Sequence, residues 1–248
     1  MKLLALETAT EACSVALHLD GEIIERHQIA PRRHAELTLP WIDELLSEAG
    51  LVRTQLDAIA CSRGPGAFTG VRLAVAITQG LALALERPAI GVSTLHALAL
   101  PAMRRLEEAQ ADLRLVSAID ARMGEVYLAE YVRDDAQNWQ QQGDERVLAP
   151  TNFALVYDGP CHGVGTGFAA EHGALTHCLG ERLIHVDATA LPRARDVAHL
   201  ALIAFARGEA SAPEALQPAY LRNQVALTLR QQGKPVPSLP ADLERPAS

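Results

Sequence analysis

Short apolar runs alternate with longer stretches of helical spacing along the first hundred residues. Residues 3–6 form one apolar run, residues 14–19 alternate imperfectly, and Asp20-Gly21 precedes a third run at residues 22–28. An Asp-Gly pair between two such runs is typical of a tight β-hairpin. The pattern therefore predicts three strands at the start of the chain, with the second and third joined by a hairpin.

Residues 34–49 are predicted to form a helix that is apolar on two sides. One stripe follows three-four spacing, and a second stripe on another side contains Leu37, Trp41 and Leu45. A helix with two apolar sides must bury both of them. One side is expected to cover the chain's own sheet. The other side either packs elsewhere in the same monomer or binds a partner.

A second helix, at residues 71–85, is apolar on almost every side and follows a strand at residues 58–61. Such a helix belongs either to a core or to an interface. Its small residues permit close approach of another helix. We therefore take six side chains from these two helices as a candidate partner interface: Leu37, Trp41, Leu45, Ala74, Ile77 and Leu81.

The second half of the chain repeats the order of strands followed by helices. Strands are predicted at residues 113–119 and 125–132, a polar loop at 133–146 and a helix at 194–207. The repeated order predicts a duplicated α/β architecture. We expect an N-terminal subdomain at residues 1–107, a C-terminal subdomain at 108–222 and a proline-containing, mobile tail at 223–248.

Composition narrows the function classes. The chain has 248 residues, a formal net charge of −8 and four cysteines with no C-x-x-C pair. The negative charge argues against independent binding to a nucleic-acid backbone. No run reaches the roughly 20 apolar residues of a membrane span. We expect a cytoplasmic protein with reduced thiols and no membrane association.

Residues 62–73, with the sequence S-R-G-P-G-A-F-T-G-V-R-L, form a glycine-rich turn between a strand and a helix. The turn lacks the Gly-Lys-Ser/Thr of a P-loop, and its glycines are spaced one residue too far for the dinucleotide motif. A strand, a tight turn and a helix N-terminus can face an anion or a nucleotide. The alternative is a structural turn that packs the helix against the sheet.

The same turn resembles the G-P-G-x-x-T/V-G-x-R signature of the TsaD/TsaB family, which has the actin-like (ribonuclease H-like) ATPase fold. Residues 4–8 and 13–17 resemble the family's first strand, turn and strand, and residues 33–36 resemble its first helix. The resemblance is close over residues 1–132 and looser beyond. It implies two actin-like subdomains, each a mixed sheet flanked by helices.

The catalytic branch of that family carries a His-x-x-x-His metal pair after the strand that follows the glycine turn. Here Thr94 and Leu98 stand at those positions, and His96 is out of register. Leucine cannot ligate a metal ion. These positions therefore resemble the non-catalytic branch of the family. Two further segments also resemble that branch: residues 119–127 and the P-A-Y-L-R segment at 218–222.

What the resemblance implies is a scaffold or activator without catalytic residues and without a metal. Such a protein pairs with the catalytic TsaD and with the ATPase TsaE in making threonylcarbamoyladenosine in tRNA, contacts the tRNA only indirectly, and can form a homodimer. It requires no cofactor, although a vestigial cleft could bind a nucleotide weakly. The residues expected at that cleft are Glu7, Thr8, Gly64, Gly66, Thr69, Gly70, Asp120 and Arg122.

Two other functions compete with this interpretation. One is a catalytically active, nucleotide-dependent carbamoyl transferase or ATPase of the same superfold, which the missing metal ligands disfavour. The other is a peptidase. Ser14 has no evident histidine and acid companions in the sequence, so the peptidase hypothesis has little support.

Overall fold

A computed structural model describes residues 1–109, 114–134, 138–156 and 159–222 of the chain. The predicted tail, residues 223–248, lies outside the described residues. The regular elements in the described part are β1 (Lys2–Glu7), β2 (Ala12–Leu19), β3 (Glu22–Ile29), α1 (His34–Glu48), β4 (Ala58–Ser62), α2 (Phe68–Leu85), β5 (Ala89–Val92), α3 (Thr94–Ala109), β6 (Arg114–Arg122), β7 (Glu125–Arg133), β8 (Trp139–Leu148), β9 (Cys161–Val164), α4 (Ala174–Leu179), β10 (Leu183–Asp187) and α5 (Ala194–Ala206).

The first sheet is mixed and has the strand order β3-β2-β1-β4-β5. β1, β2 and β3 pair antiparallel, whereas β4 and β5 continue the sheet in parallel from β1. The predicted hairpin is confirmed, because Asp20 and Gly21 join β2 to β3 with φ values of 47° and 106°. A left-handed backbone at both positions suits the twist of a two-residue hairpin.

The second sheet repeats this topology. Its order, β8-β7-β6-β9-β10, matches the first sheet strand for strand, with the first three strands antiparallel and the next two parallel. The predicted duplicated α/β architecture is therefore confirmed. The predicted loop at residues 133–146 is wrong in part, because β8 pairs with β7 as an edge strand that is exposed along much of its length.

The helices make five layers with the two sheets. α1 and α2 cover the outer face of the first sheet, and α4 with its flanking turns covers the outer face of the second. α3 and α5 lie between the sheets. The core is therefore continuous from the first sheet through the central helices to the second sheet.

The two central helices are exchanged between the halves. α3 follows the last strand of the first sheet but packs mainly on the second, through Leu95, Leu98 and Met103. α5 follows the last strand of the second sheet but packs on the first, through Val197 and Ala201. The boundary between residues 107 and 108 stays a prediction. Dividing the chain there places most of α3 in the N-terminal subdomain, although α3 packs mainly on the second sheet.

Candidate functional site

A cavity of about 980 Å³ lies between the two halves. Its wall on the first half is made by the β1–β2 turn and the glycine turn at the start of α2. Its wall on the second half is made by the β6–β7 turn and the segment after β9. A cleft of this size between two subdomains is where small ligands commonly bind. Six of the eight predicted cleft residues line it: Thr8, Gly66, Thr69, Gly70, Asp120 and Arg122. Glu7 and Gly64 are not among the lining residues.

The glycine turn is closed onto the β1–β2 turn. A Cβ atom added at Gly70 would lie 1.9 Å from the carbonyl oxygen of Thr8, and one added at Gly66 would lie 2.5 Å from that of Ala9. The Thr8 hydroxyl donates to the Gly70 carbonyl at 2.7 Å, and the Ala67 N–H donates to the Ala9 carbonyl at 2.7 Å. The glycines are therefore required for close backbone packing.

Glu7 lies beneath the cleft, fully buried at the end of β1. Its Oε1 accepts the Ala9 N–H at 2.6 Å, whereas its Oε2 has no hydrogen-bond partner. Burial raises the pKa of this carboxyl to about 7, and the hydrogen bond from the Ala9 N–H offsets part of the effect. The carboxyl group can therefore gain or lose a proton near neutral pH.

The β6–β7 turn on the opposite wall is polar and exposed. Asp120 accepts the Arg122 N–H at 2.7 Å and pairs with the Arg122 guanidinium at 2.8 Å, and the Arg122 side chain is 81% exposed. Arg122 and Met123 both have φ of 60°, a left-handed backbone that non-glycine residues rarely adopt. Such residues cluster at functional sites and tight turns.

Residues 219–222 close one side of the cleft and connect the two halves. The Ala219 N–H donates to the Arg63 carbonyl at 2.7 Å in the first half. Arg222 donates to Glu125 at 3.0 Å and to the Ala121 carbonyl at 3.2 Å in the second half. The sequence indicated this segment only through its resemblance to a family motif, and its place at the cleft was not predicted.

An aromatic stack stands at the mouth of the cleft. The Arg72 guanidinium lies 3.2 Å from the ring centroid of Phe68 and 5.1 Å from that of Tyr220, and its Nε donates to the Tyr220 hydroxyl at 2.9 Å. Phe68 is 56% exposed and Tyr220 is 53% exposed. Sequence patterns could not reveal this stack, because its members lie 148 positions apart.

The positions of the expected metal pair are both buried. Leu98 packs in the core beside the second sheet, and Thr94 is fully buried at the start of α3 with an unpartnered hydroxyl. Among the described residues, no group of three or more histidine, cysteine, aspartate and glutamate side chains could hold a metal ion.

Ser14 has a structural role. It is fully buried, donates to the Glu25 carboxylate at 2.8 Å and accepts the N–H of Ala194 at the start of α5 at 3.0 Å. These contacts hold the first turn of α5 against the first sheet. They give the hydroxyl no histidine partner of the kind that a serine peptidase requires.

Two of the six predicted interface residues are wrong. Leu45 and Ala74 are fully buried in the core under the outer helices, so neither can contact a partner. The apolar stripe of α1 that contains Leu45 includes both a position buried in the core and positions that are partly exposed at the side of the helix. Leu37, Trp41, Ile77 and Leu81 remain partly exposed, and their role in an interface stays a prediction.

The solvent side of α2 is apolar. It presents the set that we call the α2 face: Leu73, Ala76, Ile77, Gly80, Leu83 and Ala84. Leu83 is 69% exposed, and residues 73–85 contain no charged side chain. By contrast, the solvent side of α1 carries acidic residues paired with arginines, such as Asp43 with Arg53. Leu39 on α1 is 48% exposed as well, but the uncharged apolar surface lies mainly on α2.

α2 is long and apolar enough to cross a membrane, judged by length and composition alone. One third of this stretch is buried in the protein. Three of the buried positions, Ala74, Val75 and Ala82, face the first sheet and its core.

The two matching sheets, the exchanged central helices and the cleft between the halves define a two-subdomain α/β protein of the actin-like superfold. The model of the family described as "TsaD: tRNA N6-adenosine threonylcarbamoyltransferase" matches residues 23–227. The chain therefore belongs to this family, and within it to the TsaB branch, whose members are also named YeaZ, as the relatives below show.

The relatives that match nearly full length are TsaB proteins. The chain is 42% identical to the "tRNA threonylcarbamoyladenosine biosynthesis protein TsaB" of Escherichia coli, over 91% of this chain and 96% of that protein. The structure of YeaZ from Pseudomonas aeruginosa has a TM-score of 0.78 at 43% identity, covering 89% of this chain and 99% of that one. A tRNA N6-adenosine threonylcarbamoyltransferase of Nitratidesulfovibrio vulgaris is 35% identical over only 39% of this chain and 31% of its own length. These matches confirm the resemblance found in the sequence.

Proposed function

We propose that this protein acts in the biosynthesis of threonylcarbamoyladenosine in tRNA, as a non-catalytic scaffold that activates a catalytic TsaD-type transferase. The pathway is supported by the E. coli relative, which is a tRNA threonylcarbamoyladenosine biosynthesis protein. In this proposal the TsaE ATPase joins the pair, the tRNA is contacted mainly by the partner, and the complex works in the cytoplasm.

The observation that carries this proposal is the α2 face. An exposed apolar helix face without a charge is unusual on a monomer and is a common feature of interaction surfaces. The length of α2 allows about five turns to contact a partner helix. Trp41 and Leu81, which flank this face and pack partly against the core, would extend the interface toward α1.

The non-catalytic part of the proposal is supported by two positions in the core. Thr94 and Leu98 stand where the resemblance places the metal-binding histidines of the catalytic branch, and Leu98 packs among apolar side chains. Imidazole groups are the usual nitrogen ligands of such a site, and neither side chain supplies one. We therefore propose that the protein needs no cofactor and binds nucleotides at most weakly.

The α2 face is also available to a second copy of the chain. We propose that a homodimer forms through this face when the partner is absent, and that the catalytic partner competes for the same surface. A shared surface makes the two assemblies mutually exclusive.

The first experiment measures tRNA modification in a reconstituted reaction, with this protein alone and with the TsaD-type and TsaE-type partners of the same organism added. Modification is expected only in the complete mixture. Appreciable modification by this chain alone would favour the active-enzyme alternative and overturn the scaffold proposal.

The second experiment tests the surface with Ala76→Arg, which places a charge in the middle of the α2 face. We expect partner affinity to fall at least roughly tenfold, because a buried unpaired charge is costly at an interface. Ala206→Arg is the matched control, since Ala206 is an exposed helical alanine on α5. Equal partner binding by both folded variants would show that the α2 face is not the interface. Trp41→Asp tests the flank next to α1 in the same assay.

A further inference from the structure

Glu7 holds a carboxyl group in the protein interior with one of its oxygens unpaired. The side chain is fully buried, Oε1 accepts the Ala9 N–H at 2.6 Å, and Oε2 has no hydrogen-bond partner. A neutral carboxyl group can occupy such a position at modest cost. A carboxylate there lacks the hydrogen-bond donors or the counter-ion that would offset its lost hydration. Ionisation of Glu7 therefore destabilises the arrangement that buries it.

The neighbouring strands offer this carboxyl no positive charge. Ser14 lies directly opposite it on β2, and Ser62 ends β4 with a buried hydroxyl that has no partner. The titratable neighbours on these strands are the thiols of Cys13 and Cys61. Burial raises the pKa of both thiols, so they are uncharged near neutral pH.

The neighbouring helices do not supply a counter-ion either. At the start of α5, Arg193 is paired with Glu25 at 2.6 Å, and Asp196 is itself a buried acid. On α1, the His34 ring donates from Nε2 to the Thr10 carbonyl at 2.9 Å. No positively charged side chain among the described residues lowers the pKa of Glu7. An ionised carboxylate at this position must therefore be solvated by water.

The β1–β2 turn separates this carboxyl from the water-accessible cavity. Thr8 and Ala9 line the cavity, whereas Glu7 does not. The Ala9 N–H donates to Glu7, and the Ala9 carbonyl accepts the N–H of Ala67, the residue just before α2. Both hydrogen bonds are made by one residue of the turn. A movement of Ala9 that admits water to the carboxyl therefore also breaks the bond to the glycine turn.

We propose that Glu7 is a pH-sensitive switch for the first wall of the cleft: the neutral carboxyl keeps the β1–β2 turn closed on the glycine turn, and the ionised carboxylate opens it. The carboxyl gives its proton to water, Ala9 moves away from Ala67, and water reaches the carboxylate. Opening frees the start of α2, where Phe68 lines the cavity. This switch goes beyond the proposed scaffold function and does not depend on it.

The size of the effect follows from the linkage between proton release and opening. The pKa of Glu7 is about 7 in the closed form and the ordinary 4.5 once water reaches the side chain. With these values the equilibrium constant for opening rises about tenfold between pH 6 and pH 8, and by less than about twofold between pH 8 and pH 9. The plateau above pH 8 distinguishes this switch from a general loss of stability in alkali.

The test is amide hydrogen exchange of the full-length protein at pH 6, 8 and 9, expressed as protection factors so that the intrinsic effect of pH on exchange is removed. We expect the protection of the Ala9 and Ala67 amides to fall about tenfold between pH 6 and pH 8 and to level off above. Amides in the middle of β1 and β4 should stay more strongly protected at every pH, because they exchange through global unfolding.

Two variants separate the switch from a purely structural role. Glu7→Gln keeps an acceptor for the Ala9 N–H but cannot ionise, so its protection factors should not change between pH 6 and pH 8. Asp120→Asn, an acid on the opposite wall, is the matched control and should retain the tenfold change. The proposal is overturned if folded Glu7→Gln keeps the tenfold change, if the unchanged protein shows none, or if the Ala9 and Ala67 amides are as protected as those of β1 and β4.

Discussion

The two halves of the protein share one strand topology. They differ in the helices that cover their sheets and in the turns that they present to the cleft. In the first half, the connections after β3 and β4 carry the long helices α1 and α2. In the second half, the corresponding connections carry only short turns and α4, which has six residues. A duplicated sheet therefore does not require duplicated helices. The extra apolar surface on the first half is the surface that we propose binds a partner.

The same contrast appears in the two turns that face the cleft. The β1–β2 turn of the first half is buried and bonded to the glycine turn, whereas the β6–β7 turn of the second half is exposed and polar. One wall of the cleft is thus fixed by close backbone packing, and the other is held by surface ion pairs and the Arg222 contacts. Substitutions in the first wall should therefore lower the free energy of unfolding more than substitutions in the second wall.

The largest effect is expected for Gly70→Ala. The new methyl group would collide with the Thr8 carbonyl at 1.9 Å, so the two turns must separate. We expect a loss of unfolding free energy above about 3 kcal/mol, as for severe overpacking of a core, measured by urea denaturation. Gly124→Ala, in the open turn, has a positive φ of 77° but free space around it, and should cost only about 1 kcal/mol.

Gly80→Ala is the control within the same helix. Nothing lies within 4 Å of a Cβ atom at Gly80, so alanine there should stabilise α2 by up to about 1 kcal/mol. If Gly70→Ala were no more destabilising than Gly124→Ala, the first wall would not be fixed as described.

The second effect concerns pH. Since the pKa of Glu7 is raised to about 7 in the folded protein from an ordinary 4.5, the folded state holds a proton that the unfolded chain releases. Unfolding free energy should therefore fall as pH rises from about 4.5 to about 7, by roughly 3 kcal/mol, and level off above. Glu7→Gln should remove this part of the slope and stabilise the protein at pH 8.

The matched control for Glu7→Gln is Asp120→Asn, in the exposed β6–β7 turn of the second wall. Asp120 pairs with an exposed arginine, and such pairs contribute less than about 1 kcal/mol. Burial raises the pKa of Asp196 to about 6, so this residue also makes the free energy of unfolding depend on pH. Its contribution is the same in the unchanged protein and in the Glu7→Gln variant, and it cancels when the two are compared. Denaturation curves at pH 5 and pH 8 would check this prediction. A Glu7→Gln variant with the same pH slope as the unchanged protein would contradict it.

A smaller effect than those of Gly70→Ala and Glu7→Gln is expected for Arg222→Met, which removes the contacts to Glu125 and the Ala121 carbonyl. We expect a loss of about 1–2 kcal/mol, as for hydrogen bonds of a charged group that is partly buried. Arg122→Met, at a side chain that is 81% exposed, should change stability by less than about 0.5 kcal/mol. Equal effects of the two substitutions, measured by thermal unfolding, would show that residue 222 does not hold the second wall.

Much of the fold could be predicted from local patterns. The Asp20-Gly21 hairpin, the first helix and the strand–turn–helix around the glycines all depend on short-range signals that the structure keeps. β8 was missed because its run of glutamines at 140–142 has little apolar character, and it is held by pairing with β7 instead. Strand pairing of this kind is set by tertiary contacts that a local pattern does not contain.

The candidate site was less predictable for a different reason. Leu37 and Leu45 belong to the same apolar stripe of α1 in the sequence. In the structure Leu45 is buried in the core and Leu37 is partly exposed, because the orientation of the helix on the sheet decides which positions are buried. The stack of Phe68, Arg72 and Tyr220 joins residues from distant parts of the chain. Both facts depend on packing between elements, which periodicity within one element cannot show.

The exchange of α3 and α5 makes each half depend on the other to cover its sheet. A chain containing one half alone would leave one face of its sheet uncovered, because its last helix packs on the other sheet. Two copies that exchanged their final helices would cover both faces. The arrangement therefore has the geometry of a domain-swapped dimer, with the exchange of helices made within a single polypeptide.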